Sequence, residues 1–164
     1  MILYHGSNTV VNKPEIRQSN RYLDFGSGFY TTTNLDQASS FARKVVKREK
    51  CGKCIVNVYE FSDIELNKLN VLGFESANEE WLDFVSNNRN GLSNKGKYDL
   101  IYGPVADDEI YRTFLLYLNG LLTKVQTLEM LKIKKLYNQY VFTSSKAIDY
   151  LKFVEAKEIN HHEQ

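Results

Sequence analysis

Short apolar runs and longer stretches with helical spacing follow one another along the chain. Runs of about four to eight apolar or alternating residues predict strands, and apolar residues about three and four positions apart predict helices. Strands are predicted at residues 2–4, 29–33, 53–61, 70–72, 98–102, 139–143 and 153–159. Helices are predicted to begin near residues 34, 76, 108, 127 and 145. Because the strands outnumber the helices and do not alternate with them regularly, we expect an α+β fold with mainly antiparallel sheets.

Residues 24–41 combine a glycine-containing turn, a short strand and a capped helix. Gly26 and Gly28 supply backbone freedom where side chains would clash, and Asn34 is a typical helix N-cap. Such an arrangement can hold a flat ligand ring against Tyr30, because the strand fixes the aromatic ring and the glycines let a ligand approach the backbone. The stretch alone leaves a second interpretation open, which is a hairpin turn that leads into a core strand.

The later helices carry their own N-cap signals. Residues 76–79, Ser-Ala-Asn-Glu, match a capping box, and Ser144 or Ser145 precedes a short apolar helix. Asp107 or Asp108 is expected to cap the helix that follows them. Because this capping role explains both aspartates, chemistry is the less favoured interpretation for them.

The helix that begins near residue 34 has an apolar face and a basic face. The basic residues of the helix and of the turn that follows it are Arg43, Lys44, Lys47, Arg48, Lys50 and Lys53. Such a face is most often solvated, but it can also contact a polyanion. Binding of nucleic acid through these residues therefore stays open as an alternative function.

Composition limits the classes of protein to be considered. The chain has 164 residues, 43% of them hydrophobic and 25% charged, which suits one globular domain. Its net charge of +1 gives no overall attraction to nucleic acid or to an anionic membrane. No secretion signal and no run of about 18 apolar residues is present, so we expect a cytoplasmic protein without a membrane partner.

The two cysteines, Cys51 and Cys54, stand in one Cys-Gly-Lys-Cys motif. A structural zinc site needs four ligands, and the sequence has only three histidines to add, at positions 5, 161 and 162. We therefore expect no metal site and interpret the motif as a turn with reduced thiols.

Three separated segments resemble one family when they are taken together. They are Leu-Tyr-His-Gly-Ser at 3–7, Gly-Phe-Tyr-Thr-Thr at 28–32 with its continuation to residue 41, and Tyr-Asn-Gln-Tyr-Val-Phe at 137–142. In order and spacing they resemble motifs of the ADP-ribosyltransferase superfamily of the diphtheria-toxin and poly(ADP-ribose) polymerase type. The chain also looks like a member of a related bacterial family known only as a domain of unknown function, which shares these motifs and the stretch at 103–108.

The resemblance implies a single ADP-ribosyltransferase-like domain over residues 1–159. Residues 160–164 follow the last predicted strand, and we expect them to form a disordered tail. It implies two mainly antiparallel sheets, flanked by helices, with a cleft for NAD between them. In such a cleft His5 would bind the adenine-side ribose and the backbone of Gly6 would hold the nicotinamide carboxamide. Tyr30 and Phe41 would cover the two faces of the nicotinamide ring.

The remaining motif positions complete the implied site. Ser7, Gly28 and Thr31 would join the residues that contact NAD, while His5, Tyr30 and Gln139 would form the catalytic set. Gln139 stands where the family ordinarily has an acid that binds the ribose 2′-hydroxyl and stabilises positive charge on the sugar.

A neutral amide at Gln139 keeps the hydrogen bond but loses the charge, which commonly costs about 3 kcal/mol of barrier. Three explanations stay open. In the first, the enzyme is slower and uses a reactive acceptor. In the second, a carboxylate such as Asp107 or Asp108 is supplied from elsewhere. In the third, the site binds NAD or ADP-ribose without turnover.

The resemblance implies an NAD-dependent mono-ADP-ribosyltransferase, with NAD as its substrate and a protein or nucleic acid as acceptor. The motif set is similar to that of bacterial toxin domains, so a toxin–antitoxin pair with a neutralising antitoxin is expected. A module that binds NAD, ADP-ribose or a partner on the same fold, without chemistry, is the alternative.

Overall fold

The computed structural model describes residues 1–16, 23–92, 96–105, 108–132 and 137–160. The strands are β1 (Ile2–Ser7), β2 (Phe29–Thr32), β3 (Ile55–Glu60), β4 (Val71–Gly73), β5 (Leu100–Val105), β6 (Tyr137–Phe142) and β7 (Lys152–Glu158). The helices are α1 (Leu35–Glu49), α2 (Glu79–Arg89), α3 (Asp108–Leu118), α4 (Lys124–Lys132) and α5 (Ser145–Ile148), with a 3₁₀ helix at Asp63–Lys68.

The seven strands form one mixed sheet in the order β4-β5-β6-β2-β1-β3-β7. Among the strands of the described residues, only β4 and β5 run parallel, and the other neighbours are antiparallel. The predicted α+β class and the mainly antiparallel pairing are therefore confirmed. The prediction of two sheets is wrong, because Tyr4 of β1 pairs with Thr32 of β2 and joins the two halves into one sheet.

Two strands run further than the apolar pattern predicts. Every residue of β1 through Ser7 pairs with β3, so His5 lies inside the strand and not at its end. β5 continues to Val105 through Pro104, which pairs with Asn138 of β6. Proline is tolerated there because β4 covers only Leu100 to Tyr102, so Pro104 has a neighbouring strand on one side alone.

Two of the predicted helix caps are confirmed, and one is wrong. Asn34 caps α1 by accepting a hydrogen bond from the Gln37 N–H at 2.7 Å, and Ser144 caps α5. The capping box at 76–79 is wrong, because Asn78 is the N-cap of α2 and accepts from the Trp81 N–H at 2.9 Å. Asp107 lies outside the described residues, and so does most of the predicted tail, residues 161–164.

Apolar side chains form two clusters, and neighbouring residues of the same strand divide between them, as the pleat of a sheet requires. One cluster contains Trp81, Phe114 and Ile101, and the other contains Leu100, Phe142 and Tyr59. The sheet is therefore covered on both faces along β5 and β6. Within the described residues, no helix combines the length and the apolar character that crossing a membrane requires.

Gly6 lets α1 pack directly on β1. A Cβ atom at this position would lie 2.1 Å from the backbone oxygen of Ala38 and 2.7 Å from the backbone nitrogen of Ala42. Both contacts are far closer than van der Waals distance and both involve backbone, which cannot rotate away. Only glycine allows this approach between helix and strand.

Replacement of Gly6 by alanine is therefore expected to lower the free energy of unfolding by about 3 kcal/mol, since the helix must shift away from the sheet. Urea denaturation followed by circular dichroism measures the loss. The matched control is Gly120→Ala, where the backbone has a φ of +72° but nothing lies within 4 Å of the added methyl group. We expect a loss of about 1 kcal/mol there from the left-handed backbone alone. A smaller loss at Gly6 than at Gly120 would contradict the packing argument.

Candidate functional site

The sheet is weakly joined between β1 and β2, and we call this junction the seam. Tyr4 and Thr32 are its one backbone pair, whereas β1 pairs with β3 along its whole length. A cleft with a volume of about 440 Å³ opens at the seam. That volume lies in the range of small-molecule sites, about 300–1,000 Å³.

Residues that are far apart in the sequence meet in this cleft. All the residues named for the site from the sequence line it, namely His5, Gly6, Ser7, Gly28, Tyr30, Thr31, Phe41 and Gln139. The structure brings them together because β2 lies between β1 and β6, so all three motif strands are adjacent.

His5 bridges the seam with its side chain. Its Nδ1 lies 2.7 Å from the backbone oxygen of Tyr30. A carbonyl can only accept, so Nδ1 carries the proton in this bond. The ring also packs against Phe29 at a centroid distance of 4.3 Å. The histidine therefore has a fixed tautomer and a fixed orientation in the cleft.

Tyr30 is held by the glycine turn that precedes its strand. Its hydroxyl donates to the Gly26 carbonyl at 2.7 Å and accepts from the Phe25 N–H at 3.2 Å. Burial, with a further contribution from the Asp24 carboxylate, raises the pKa of Tyr30 well above its usual range. The phenol therefore stays protonated at neutral pH, and its two hydrogen bonds fix the ring beside the cleft.

Three of the other predicted positions make hydrogen bonds or close packing contacts within the protein. The Thr31 hydroxyl is buried and donates to the backbone oxygen of Tyr140 at 2.8 Å. A Cβ atom on Gly28 would lie 2.6 Å from Val141, so β2 and β6 can approach closely only with glycine there. Ser7 accepts a long hydrogen bond from the Thr9 N–H, at 3.4 Å. These residues shape the wall of the cleft.

Gln139 is 5% exposed, and its side-chain nitrogen is buried without a hydrogen-bond partner among the described residues. A buried amide donor that lacks an acceptor costs about 1–3 kcal/mol. A ligand oxygen that entered the cleft at this point would recover much of that cost. The side-chain nitrogen of Gln139 is therefore a donor without an acceptor at the cleft wall.

Phe41 has the opposite character, because 47% of its surface is exposed although it is a large apolar side chain. It belongs to α1 and lines the cleft together with the buried Ala38, which lies one turn earlier. An exposed aromatic ring at the mouth of a cleft is suited to cover a flat ligand.

A buried residue holds the rim segment that follows β1. Asn57 has no exposed surface, and it accepts from the Val11 N–H at 2.8 Å and donates to the Thr9 carbonyl at 3.2 Å. The Tyr59 hydroxyl donates to the backbone oxygen of Val11 at 2.5 Å. Thr9 and Val11 both line the cleft, so this wall is ordered by β3.

Comparison with known proteins adds a family but no function. Residues 1–153 match the model of a family described as "Protein of unknown function (DUF3990)". The chain belongs to the DUF3990 family. No curated protein matches it.

The DUF3990 chain also has a charged pair in the cleft that the sequence did not reveal. Arg89, the last residue of α2, pairs with Asp24 through Nη2 and through Nε, which lies 2.6 Å from Oδ1. The guanidinium lies over the Tyr111 ring at 4.7 Å. Both charged residues line the cleft, and the Asp24 side chain is only 8% exposed. The two residues are 65 positions apart, so no local pattern could have identified them.

Removal of Arg89 is expected to destabilise the DUF3990 fold. Arg89→Met leaves the buried Asp24 carboxylate without its ion pair, so we expect the free energy of unfolding to fall by about 3 kcal/mol. The matched control is Arg48→Met, which breaks the ion pair between Arg48 and Glu49. The side chains of these two residues are 40% and 49% exposed, respectively. Its expected loss is below about 1 kcal/mol. Equal losses in urea denaturation would show that the cleft pair contributes no more than a surface pair.

The other candidate groups do not join the site. Cys51 is exposed, Cys54 is buried, and both are free thiols. Within the described ranges, no cluster of three or more His, Cys, Asp or Glu residues is arranged to hold a metal ion. Asp107, one of the two alternative carboxylates, lies outside the described residues. Asp108 is the first residue of α3.

Proposed function

We propose that this DUF3990 chain is an NAD-dependent mono-ADP-ribosyltransferase. The observation that carries the proposal is the meeting of His5, Tyr30 and Gln139 in one cleft at the seam. They belong to three motifs that resemble those of ADP-ribosyltransferases, and the sheet makes the three motif strands neighbours. A family motif set that folds into one site is much more informative than each motif alone.

In the proposed reaction the bond between C1′ of the ribose and the nicotinamide nitrogen breaks, and its electron pair leaves with nicotinamide. A lone pair of the acceptor forms the new bond to C1′, and the acceptor's proton passes to solvent. The protein's part is mainly to position the reactants, since a well-oriented complex can supply about 7–11 kcal/mol of the barrier. The fixed ring of Tyr30 and the exposed ring of Phe41 support a clamp on the two faces of nicotinamide, worth about 1 kcal/mol per contact.

Polar recognition of the ribose is assigned to Gln139 and His5. The unpartnered side-chain nitrogen of Gln139 can donate to a ribose 2′-hydroxyl. The resemblance assigns a hydroxyl of the adenine-side ribose to His5, and the bond from its Nδ1 to the Tyr30 carbonyl fixes the orientation of the ring in the cleft. The cleft therefore has suitable partners for both sugars of NAD.

One observation favours a second candidate, a module that binds NAD or ADP-ribose without cleaving it. The wall position that carries the acid in related enzymes is neutral here, and the buried Asp24 carboxylate is already paired with Arg89. Neither group offers a free negative charge to an oxocarbenium-like transition state. This arrangement suits binding better than fast turnover.

The proposal includes a toxin role in a toxin–antitoxin pair, acting in the cytoplasm and neutralised by an antitoxin protein. Its support is the resemblance of the three motifs to those of toxin domains. The two free cysteines suit a cytoplasmic location, where thiols stay reduced.

Calorimetry with NAD and chromatographic detection of nicotinamide separate these candidates. We expect NAD to bind and nicotinamide to be released, with label from the adenine half of NAD transferred to a macromolecule in a cell extract. Tight binding without release would favour the binding module. No heat of binding and no nicotinamide would reject both candidates.

A further inference from the structure

The positive charge of this chain is concentrated next to the cleft. Residues 43–53 contain six lysines and arginines and one acid, Glu49, although the whole chain has a net charge of only +1. Among the described residues, Arg43, Lys47 and Lys50 form no ion pair, and both lysines are exposed. Any attraction for a polyanion is therefore local to this segment.

Helix geometry arranges these groups in two rows. Arg43 and Lys47 are four residues apart, so they lie along one stripe of α1, and Lys50 is the C-cap residue that directly follows the helix. Phe41 and Lys44 begin a neighbouring stripe that continues to Arg48. Positions one turn apart are separated by about 5–6 Å along the axis, which is close to the spacing of successive phosphates in an extended strand.

Both ends of this basic face adjoin the cleft. At one end, Phe41 is part of the cleft lining and 47% exposed. At the other end the chain turns at Gly52, and the Lys53 N–H donates to the Asn8 backbone oxygen at 3.0 Å. Asn8 also lines the cleft, and so does Lys13. The basic face is therefore continuous with the rim.

We propose that the acceptor of the transferase is a single-stranded nucleic acid whose phosphates lie along the basic face of α1. This inference rests on the proposed function. A groove or face that tracks the backbone with cations, together with an aromatic ring on which a base stacks, is the usual way to bind a single strand. Once nicotinamide has left the Phe41 ring, that ring at the cleft mouth is free to stack a base of the acceptor, beside the place where C1′ of the ribose is then exposed.

The test uses a fluorescently labelled single-stranded RNA of mixed sequence, its DNA counterpart and fluorescence anisotropy with the full chain. We expect binding that weakens steeply between about 50 and 200 mM salt. Lys47→Gln combined with Lys50→Gln should raise the Kd for the oligonucleotide about tenfold. The slope of log K against log salt concentration should also become shallower by about 1.4, because each lost phosphate contact contributes about 0.7. Lys97→Gln combined with Lys132→Gln is the matched control, since both of these lysines are exposed and the change in net charge is the same.

The inference is overturned if neither oligonucleotide binds, if the Kd does not depend on salt concentration, or if both double variants weaken binding equally. Nicotinamide release with water as acceptor is measured on the same samples and should be unchanged in both double variants. If nicotinamide is released but no oligonucleotide binds, the nucleic-acid acceptor is rejected and the transferase activity stands. If an oligonucleotide binds but no nicotinamide is released, the transferase activity is rejected and the nucleic-acid-binding surface stands. Transfer of radiolabel from NAD to acidic proteins of an extract, and not to the oligonucleotide, rejects the acceptor class.

Discussion

Replacement of Tyr30 by alanine is expected to lower the rate of nicotinamide release from NAD at least about 100-fold. The ring supplies one face of the proposed clamp, and its hydroxyl bonds to Gly26 and Phe25 fix where that face lies. Without the ring, nicotinamide can shift in the cleft, and a displacement of about 1 Å from the reactive geometry can cost about 10²-fold in rate. The loss is measured as nicotinamide formed per hour at saturating NAD.

Two further variants separate catalysis from folding. Tyr30→Phe keeps the ring and removes only the hydroxyl, so its release rate should stay within about tenfold of the parent. Tyr30→Leu keeps much of the apolar volume without an aromatic face and should be nearly as slow as alanine. Thermal unfolding by circular dichroism shows whether each variant is folded at the assay temperature. A folded Tyr30→Leu protein with the parent's rate would contradict the proposed clamp.

Gln139→Glu is expected to change the rate in the opposite direction. A carboxylate in the cleft wall would stabilise the positive charge that develops on the ribose, and one such contact is worth about 3 kcal/mol, or about 100-fold in rate. Because Gln139 is 95% buried, we expect burial to raise the pKa of the introduced carboxyl group. The gain should therefore grow as the pH rises through that pKa and disappear at lower pH, where the group is neutral.

Gln139→Ala is the control for this experiment. It removes the amide and should slow release, because no side chain would then hold the ribose hydroxyl. If the glutamate variant is as slow as the alanine variant at every pH, the amide donor is itself required, and the missing charge does not limit the rate.

The sequence predicted the parts of this molecule that depend on neighbouring residues. Asn34 and Ser144 act as caps because an N-cap contacts the backbone only about three residues further on. The same reasoning failed at residues 76–79, where both Ser76 and Asn78 have suitable side chains and the helix begins only at Glu79, directly after Asn78.

Features that depend on contacts between distant residues could not be predicted in the same way. The bridge that makes one sheet joins Tyr4 to Thr32, and its presence depends on the register of two strands. The ion pair of Asp24 and Arg89 is formed only when α2 packs beside the turn before β2. The grouping of His5, Tyr30 and Gln139 was expected only because three motifs resembled one family, and periodicity alone gave no sign of it.

The seam leaves part of the β1 edge without a strand partner in the middle of the sheet. Beyond the pair of Tyr4 and Thr32, the backbone groups of β1 that face β2 have no strand partner within the described residues. Such an edge can take up an amide by main-chain hydrogen bonds, in the way that an extended peptide adds to a sheet. A carboxamide carries both the donor and the acceptor needed for this, whereas a carboxylate carries acceptors only. We therefore expect the main chain itself to prefer NAD over the dinucleotide of nicotinic acid.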